Sequence, residues 1–237
     1  MSHGTVSAAT ALATPPPSPV LPDVAFVAFW LKTIVTSGGG NPNDQLFEYI
    51  APTNRPRLEH RLNRLQKLRT LKFSSAKKRG KHSRLVGLAY EQLVRGLLNG
   101  SQALRYLHNV RSTTSEIDFL LQVEPFGVLC PILNYASSHV LGEAKCHSSA
   151  IKSEWITELQ GLLIAHNAKV AILFVGCKPQ KVPASVRQAI ALFSVTGYHI
   201  VPFGETQLEE VRQGANFLRV LSEQYTRVLA HASTLEV

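Results

Sequence analysis

Cysteine is scarce in this chain. Three residues, Cys130, Cys146 and Cys177, are spread over 237 positions. Their number is odd and no two share a C-x-x-C spacing, which excludes both a disulfide framework and a zinc-finger ligand set. A reducing cytoplasm is the expected setting, nucleoid-associated or nuclear according to the cell type. Cys146 reads as a small buried hydrophobe. Nucleotide-binding signatures are absent too: there is neither a G-x-x-x-x-G-K-S/T loop nor a G-x-G-x-x-G turn. No motor is encoded, so any motor or target-recognition function would come from a partner protein. The apolar run from Val24 to Val35 is interrupted by Lys32. It falls short of the roughly 20 residues that span a bilayer, and the start of the chain lacks the basic-then-apolar order of a secretory signal. No membrane partner is expected.

Acid is in short supply, and unevenly so. The chain has 25 Lys and Arg against 16 Asp and Glu, for a net charge of +9. Residues 55–84 hold twelve of the basic residues and one acid, Glu59. Twelve against one is +11, which leaves −2 for the rest of the chain. Leu58, Leu62, Leu65, Leu68 and Leu71 recur at helical spacing, so the first half of this stretch reads as an amphipathic helix. Arg57, Arg61, Arg64, Lys67 and Lys72 decorate its other faces. The second half, with Lys77, Lys78, Arg79 and Lys81, reads as a flexible basic loop. A surface of one sign suits a polyanion, and these residues are candidate phosphate contacts. A plain solvated helix face is the competing reading.

Three regions follow from these patterns. Residues 1–22 are proline-rich, small and aperiodic, the composition of a disordered tail. Residues 23–83 hold a short apolar segment, a Gly-rich break at 37–42 and the basic helical arm. Residues 84–237 carry regular alternation. A helix is predicted over 84–99, and strands near 105–110, 116–123, 127–132 and 139–146. A helix over 151–167 precedes a strand at 169–175. Another helix from Pro183 to Val195 precedes a strand at 198–203, and one long helix is expected over 205–230. The expected class is α/β, a mixed central sheet flanked by helices.

The chemistry concentrates in Ser115-Glu116-Ile117-Asp118-Phe119 and, 25 residues later, Gly142-Glu143-Ala144-Lys145. Alternate strand residues share a face, so Glu143 and Lys145 project together. If the two strands pair, Asp118 comes within reach of both. Two carboxylates and an ammonium on one face are costly in an ordinary core, and a divalent cation would resolve the conflict. A strand-end salt bridge between Glu143 and Lys145 is the alternative. Glu91 borders the apolar side of the 84–99 helix, either as a further ligand or as an i,i+4 partner of Arg95. Glu116 alternates with Asp118 and is a possible outer ligand or a surface acid. His147 would touch phosphate or solvent, and Gln160 reads as a surface residue of the following helix.

The pattern D…E-x-K, in this element order, resembles the PD-(D/E)xK nuclease superfamily. Its nearest likeness is the branch with modified-DNA restriction enzymes and Holliday-junction resolvases. The likeness covers residues 84–210 and departs from the name where Ile117, not proline, precedes Asp118. It implies a restriction-endonuclease-like three-layer core with catalytic Asp118, Glu143 and Lys145. It implies Mg²⁺ or Mn²⁺ held by Asp118, Glu143, the Ala144 carbonyl and Glu91, with Gln160 turned towards that cluster. DNA is the implied substrate, with cleavage leaving a 5′-phosphate, in defence against foreign DNA or in repair, and a homodimer is the expected assembly. A catalytically silent DNA- or RNA-binding subunit is the alternative function.

Overall fold

The computed structural model describes residues 32, 42–99, 101–107, 117–146, 150–176 and 181–230. Expectations for the proline-rich start, the 24–35 segment, Glu116 and His147 lie outside them. Helices α1 (Pro42–Ile50), α2 (Arg55–Thr70) and α3 (Ala76–Leu98) come first. They are followed by β1 (Leu104–Leu107), β2 (Phe119–Val123), a 3₁₀ turn (Pro125–Leu129), α4 (Pro131–Ala136) and β3 (His139–Lys145). Then come α5 (Ser153–Ala165), β4 (Val170–Val175), α6 (Ala184–Val195), β5 (His199–Phe203), α7 (Glu205–Arg212) and α8 (Phe217–Leu229). Among the described residues no helix is long and apolar enough to cross a membrane.

The five strands form one mixed sheet in sequence order. β1, β2 and β3 pair antiparallel, whereas β3, β4 and β5 pair parallel through the crossover helices α5 and α6. β4 is buried at all six positions, as a strand covered on both faces must be. One apolar layer joins Phe119, Val140, Ile172, Phe174 and Phe203 to α3 and α8. The other joins Leu141, Ala171, Leu173 and Ile200 to Trp155, Ile156 and Leu159 of α5 and to Val186 and Ile190 of α6. Helices on both faces of the sheet make three layers.

A row of rings crosses the first layer. Phe119, Phe174, Phe203 and Phe217 stack edge to face or tilted, at centroid separations of 6.0, 5.8 and 5.3 Å. Gly142, opposite Phe119 on β3, leaves room for this row: a Cβ there would come within 2.9 Å of the Phe119 Cβ.

Three expectations are corrected. The basic stretch at Lys77–Lys81 is helix, because Ser75 caps Lys78 N–H and starts α3 eight residues before the predicted 84. The apolar run at 127–132 is a 3₁₀ turn and the start of α4, because Pro125 and Pro131 each open a helical turn. The C-terminal helix breaks in two at Gly214, whose φ of 118° is left-handed. The buried Asn216 side chain then caps α8, accepting from Leu218 N–H. Its amide also donates to the carbonyls of Phe47 and Ala51, both at 2.9 Å, which ties α1 to α8.

The basic arm shares the main core. Leu58 and Leu65 of α2 are 3% and 1% exposed and belong to the same apolar layer as Phe174 and Phe203. Leu65→Ala is therefore expected to cost about 2–5 kcal/mol. Urea unfolding followed by circular dichroism and tryptophan fluorescence checks it. Both signals should shift together to a lower midpoint, and an early loss of helix signal alone would contradict a shared core.

Candidate functional site

β2 begins and β3 ends at the carboxyl edge of the parallel strands, and there the chemistry collects. The last paired residues are Phe119 and Gly142, so one step further on Asp118 faces Glu143. Asp118 does more than sit opposite. Its Oδ2 accepts the Ala144 N–H at 2.8 Å, which carries the β2–β3 hydrogen bonding beyond the end of the backbone ladder. Backbone N–H and C=O of one strand residue point to the same side. The Ala144 carbonyl is thus turned towards Asp118. The neighbouring Lys145 carbonyl points the other way and accepts from Gly176 N–H at 2.8 Å.

Glu143 and Lys145 lie on the sheet face shared with Leu141, beneath α5. Their side chains meet, Lys145 Nζ donating to Glu143 Oε1 at 2.7 Å, with Lys145 only 26% and Glu143 only 13% exposed. Burial first, and then the negative charge of Asp118, push the Glu143 carboxyl above its ordinary value, with Lys145 opposing. Burial disfavours the Lys145 ammonium, but the hydrogen bond and charge of Glu143, with Glu158 and Asp118 behind them, hold it above its ordinary value. The predicted triad of Asp118, Glu143 and Lys145 therefore assembles as one electrostatic unit.

Glu158 belongs with them and was missed in the sequence. It sits on the exposed flank of α5, and its charge acts on both Glu143 and Lys145. The available signal was its place beside the inward positions Trp155 and Leu159 on the helix that follows the E-x-K strand. Gln160, the residue expected to face the cluster, is two positions further on and half-buried. Residues two apart on a helix do not face each other, and of the two Glu158 is the one whose charge reaches the cluster.

Glu91 lies on α3, against the opposite face of the sheet. It forms the i,i+4 ion pair with Arg95, at 3.9 Å. Among the described residues no three of His, Cys, Asp and Glu converge as a ready-made metal cage. Asp118, Glu143 and the Ala144 carbonyl are nevertheless three hard oxygen donors on one side of a strand end. Two of them are carboxylates held against each other in partial burial. That donor set fits a partly hydrated Mg²⁺ or Mn²⁺.

Arg69, near the end of α2, spans the same sheet edge. It donates to the Gly176 carbonyl at 2.8 Å, approaches Cys146 Sγ at 3.6 Å and pairs with Glu205 at the start of α7. Burial raises the Cys146 thiol despite the nearby Arg69, so it stays protonated and inert. The other basic residues divide into two sets. The Arg61 guanidinium donates to the Gln92 carbonyl and Arg64 to the Gln92 side chain at 3.2 Å, so these two lace α2 to α3. Arg57, Lys67, Lys77, Lys78, Arg79 and Lys81 are exposed.

No protein family, characterised protein or solved structure matched this chain.

The raised Glu143 carboxyl has a testable sign. Over the interval from its ordinary value of 4.5 up to its folded value, the folded state binds more protons than the unfolded state. Stability from this group is therefore lost as pH rises through that interval. In Glu143→Gln that component should vanish. Urea midpoints from about pH 4 to about pH 8 in EDTA test this, and parallel curves for the two proteins would refute it.

Proposed function

We propose that this chain is a metal-dependent endonuclease of restriction-endonuclease-like architecture that hydrolyses phosphodiester bonds in DNA. The observation carrying this reading is the meeting of Asp118 with the E-x-K strand. Two carboxylates, a carbonyl and a lysine gather at the end of two paired strands, at the carboxyl edge of a parallel sheet. Such a group is costly to the fold, because the Glu143 charge is desolvated and opposed by Asp118. A chemical role accounts for that cost.

Asp118, Glu143 and the Ala144 carbonyl would hold Mg²⁺ or Mn²⁺, with Glu91 reaching it only if it leaves Arg95. The bound cation supplies charge neutralisation at the phosphodiester and a more acidic water. The chain does the rest. Asp118 keeps its ligand geometry because one of its oxygens is held by the Ala144 amide. Lys145 is protonated while Glu143 faces it as a bare carboxylate. With Glu143 turned to a cation, Lys145 would release its proton to the solvent beside Glu158, and as a neutral amine would orient the attacking water and accept a proton from it. It then returns as an ammonium beside the negative charge that develops on phosphorus. Glu158, partly solvated, would keep the Lys145 proton within reach.

The exposed lysines and arginines of α2 and α3 would grip the phosphate backbone without reading sequence. Cutting both strands of a duplex takes two sites or two successive nicks, so a homodimer is part of the proposal. A partner protein would supply any target selection or motor. Defence against foreign DNA and DNA repair both suit such an enzyme.

One observation favours a second reading, a silent nucleic-acid-binding subunit: Glu143 and Lys145 already satisfy each other as an ion pair. Cleavage assays separate the two. Supercoiled plasmid, linear duplex, single-stranded DNA and RNA are incubated with Mg²⁺ or Mn²⁺. DNA should be cut and EDTA should stop it. Lys145→Ala should lower the rate at least about 100-fold while the protein stays folded at the assay temperature by circular dichroism and its DNA affinity stays near that of the parent. Equal cleavage by parent and variant would remove Lys145 from the mechanism. Undiminished binding with no cleavage of any substrate would favour the silent subunit.

A further inference from the structure

The direction of α3 carries more than its charge. Tyr90 packs against Gly176, just past the end of β4, and Arg95 lies over the Tyr106 ring of β1 at 5.6 Å. From Tyr90 onward α3 therefore runs back across the sheet, and its buried side chains, Ala89, Tyr90, Leu93, Val94 and Leu98, lie there. From Ala76 to Leu88 not one side chain is buried. Val86 packs on the core, so the ten residues Ala76–Leu85 extend past the carboxyl edge of the sheet by about 15 Å, at 1.5 Å per residue. The end of α2 flanks it, with His82 Nε2 and the Leu68 carbonyl 2.6 Å apart and the Phe73 and His82 rings 4.9 Å apart. Between Lys67 and Arg84 stand eight Lys and Arg and no acid. Arg69 is engaged by Glu205, and the other seven are exposed.

This placement does not serve the fold. The first turns of α2 and α3 contain no acid, while Arg57, Lys77, Lys78 and Arg79 crowd those turns. Cations at a helix N-terminus oppose its dipole. Nor does the tip suit a lipid surface. Lys78 and Lys81 share one helical stripe with the exposed Leu85 and Leu88, whereas a helix lying on a membrane needs its apolar and basic residues on opposite faces.

We infer that the α2–α3 tip, through Lys72, Lys77, Lys78, Lys81 and Arg84, grips the nucleic-acid backbone on one side only of the phosphate held at Asp118 and Glu143. Its placement relative to a cut rests on the nuclease reading; the grip itself does not. A projection of about 15 Å matches roughly four nucleotide steps at 3.4 Å each. The contact is polar with respect to strand direction, because the tip lies either 5′ or 3′ of the cut.

Two measurements test it. In the first, Lys145→Ala protein, with and without Lys77→Gln, Lys78→Gln, Lys81→Gln and Arg84→Gln, is titrated with an arbitrary 30-base-pair duplex over a salt series. The slope of log affinity against log salt should shrink by about 3.6, at roughly 0.9 for each of the four phosphates no longer neutralised. A Lys169→Gln control, at the opposite edge of the sheet, should leave it unchanged. An unchanged slope in the tip variant overturns the inference, also if that variant loses only binding to anionic vesicles. The second measurement maps cuts on end-labelled single-stranded DNA, where no second strand engages a partner protomer's tip. Cuts should avoid about four nucleotides at one terminus of the strand and approach the other freely, and the tip variant should lose that asymmetry. Symmetric cutting by the parent protein overturns one-sidedness while leaving the nuclease reading intact. If nothing is cut, the nuclease reading fails and the salt slopes alone decide the grip.

Discussion

The register between β2 and β3 is the constraint from which the rest follows. Side chains alternate along a strand, so a slip of one residue would turn Glu143 and Lys145 to the other face of the sheet. Two features prevent that slip. Phe119 fits against Gly142, where any larger residue would collide with it. One residue later, the Asp118 carboxylate takes the Ala144 amide. The first is packing and the second is a charge-assisted hydrogen bond. Together they convert an apolar strand pair into a defined arrangement of charges at its end. One Asp118 oxygen thus finishes the sheet, and in the proposed function the carboxylate would also serve the cation.

That arrangement reconciles two accounts of Glu143 and Lys145 that look opposed in the sequence. A strand-end ion pair and a metal site are not exclusive. A carboxylate that is desolvated and set opposite Asp118 needs a cation nearby, and Lys145 is the cation available within the chain. A divalent ion interacts more strongly with two carboxylates than one ammonium does. The ion pair is then the resting form of the same electrostatic demand. Glu158 extends the demand outward, since it favours the ammonium without being buried itself. The buried negative charge therefore costs stability, and that cost is the observation on which the proposed function rests.

Much of this was legible in the residues. The five strands, the crossover helices and the convergence of Asp118 with Glu143 and Lys145 follow from alternation, apolar runs and spacing, which are local signals. The misread segments share a different cause. At 127–132 the two prolines outweighed an apolar run that suits a strand equally well. At Lys77–Lys81 the polar composition of a loop concealed a helix, which α2 supports from the side through the Leu68–His82 and Arg64–Gln92 contacts. Gly214 and Asn216 did signal a break, but amphipathic periodicity on either side masked it. Glu158 was hidden for a further reason: as an exposed helix acid it becomes notable only when β3 is placed beneath it. Glu91 shows the limit of helical position as a guide, since its turn of α3 offers it Arg95 as well as the edge of the sheet.

The charge distribution has the same logic as the acid cluster, with the sign reversed. Arg61, Arg64 and Arg69 show what a basic residue does when it serves the fold: each reaches a carbonyl, an amide or a carboxylate across an element boundary. Of the remaining basic residues of the tip, Lys77, Lys78 and Arg79 stand at a helix start that would prefer acids, and there is no acid in the sequence from Lys67 to Arg84. Their mutual repulsion is tolerable because α3 is anchored from Tyr90 onward in the core, where burial of Leu93, Val94 and Leu98 holds the helix as a whole. The anchored half of one helix thereby stabilises a charged half that would be marginal in isolation. A rigid basic projection at the same sheet edge as a carboxylate cluster separates two opposite requirements in space. The acids need a cation and must not be neutralised by the nearby lysines, and the lysines need an anion that the acids would otherwise mimic. Arg69 lies at the same edge, with its charge taken up by Glu205 and the Gly176 carbonyl.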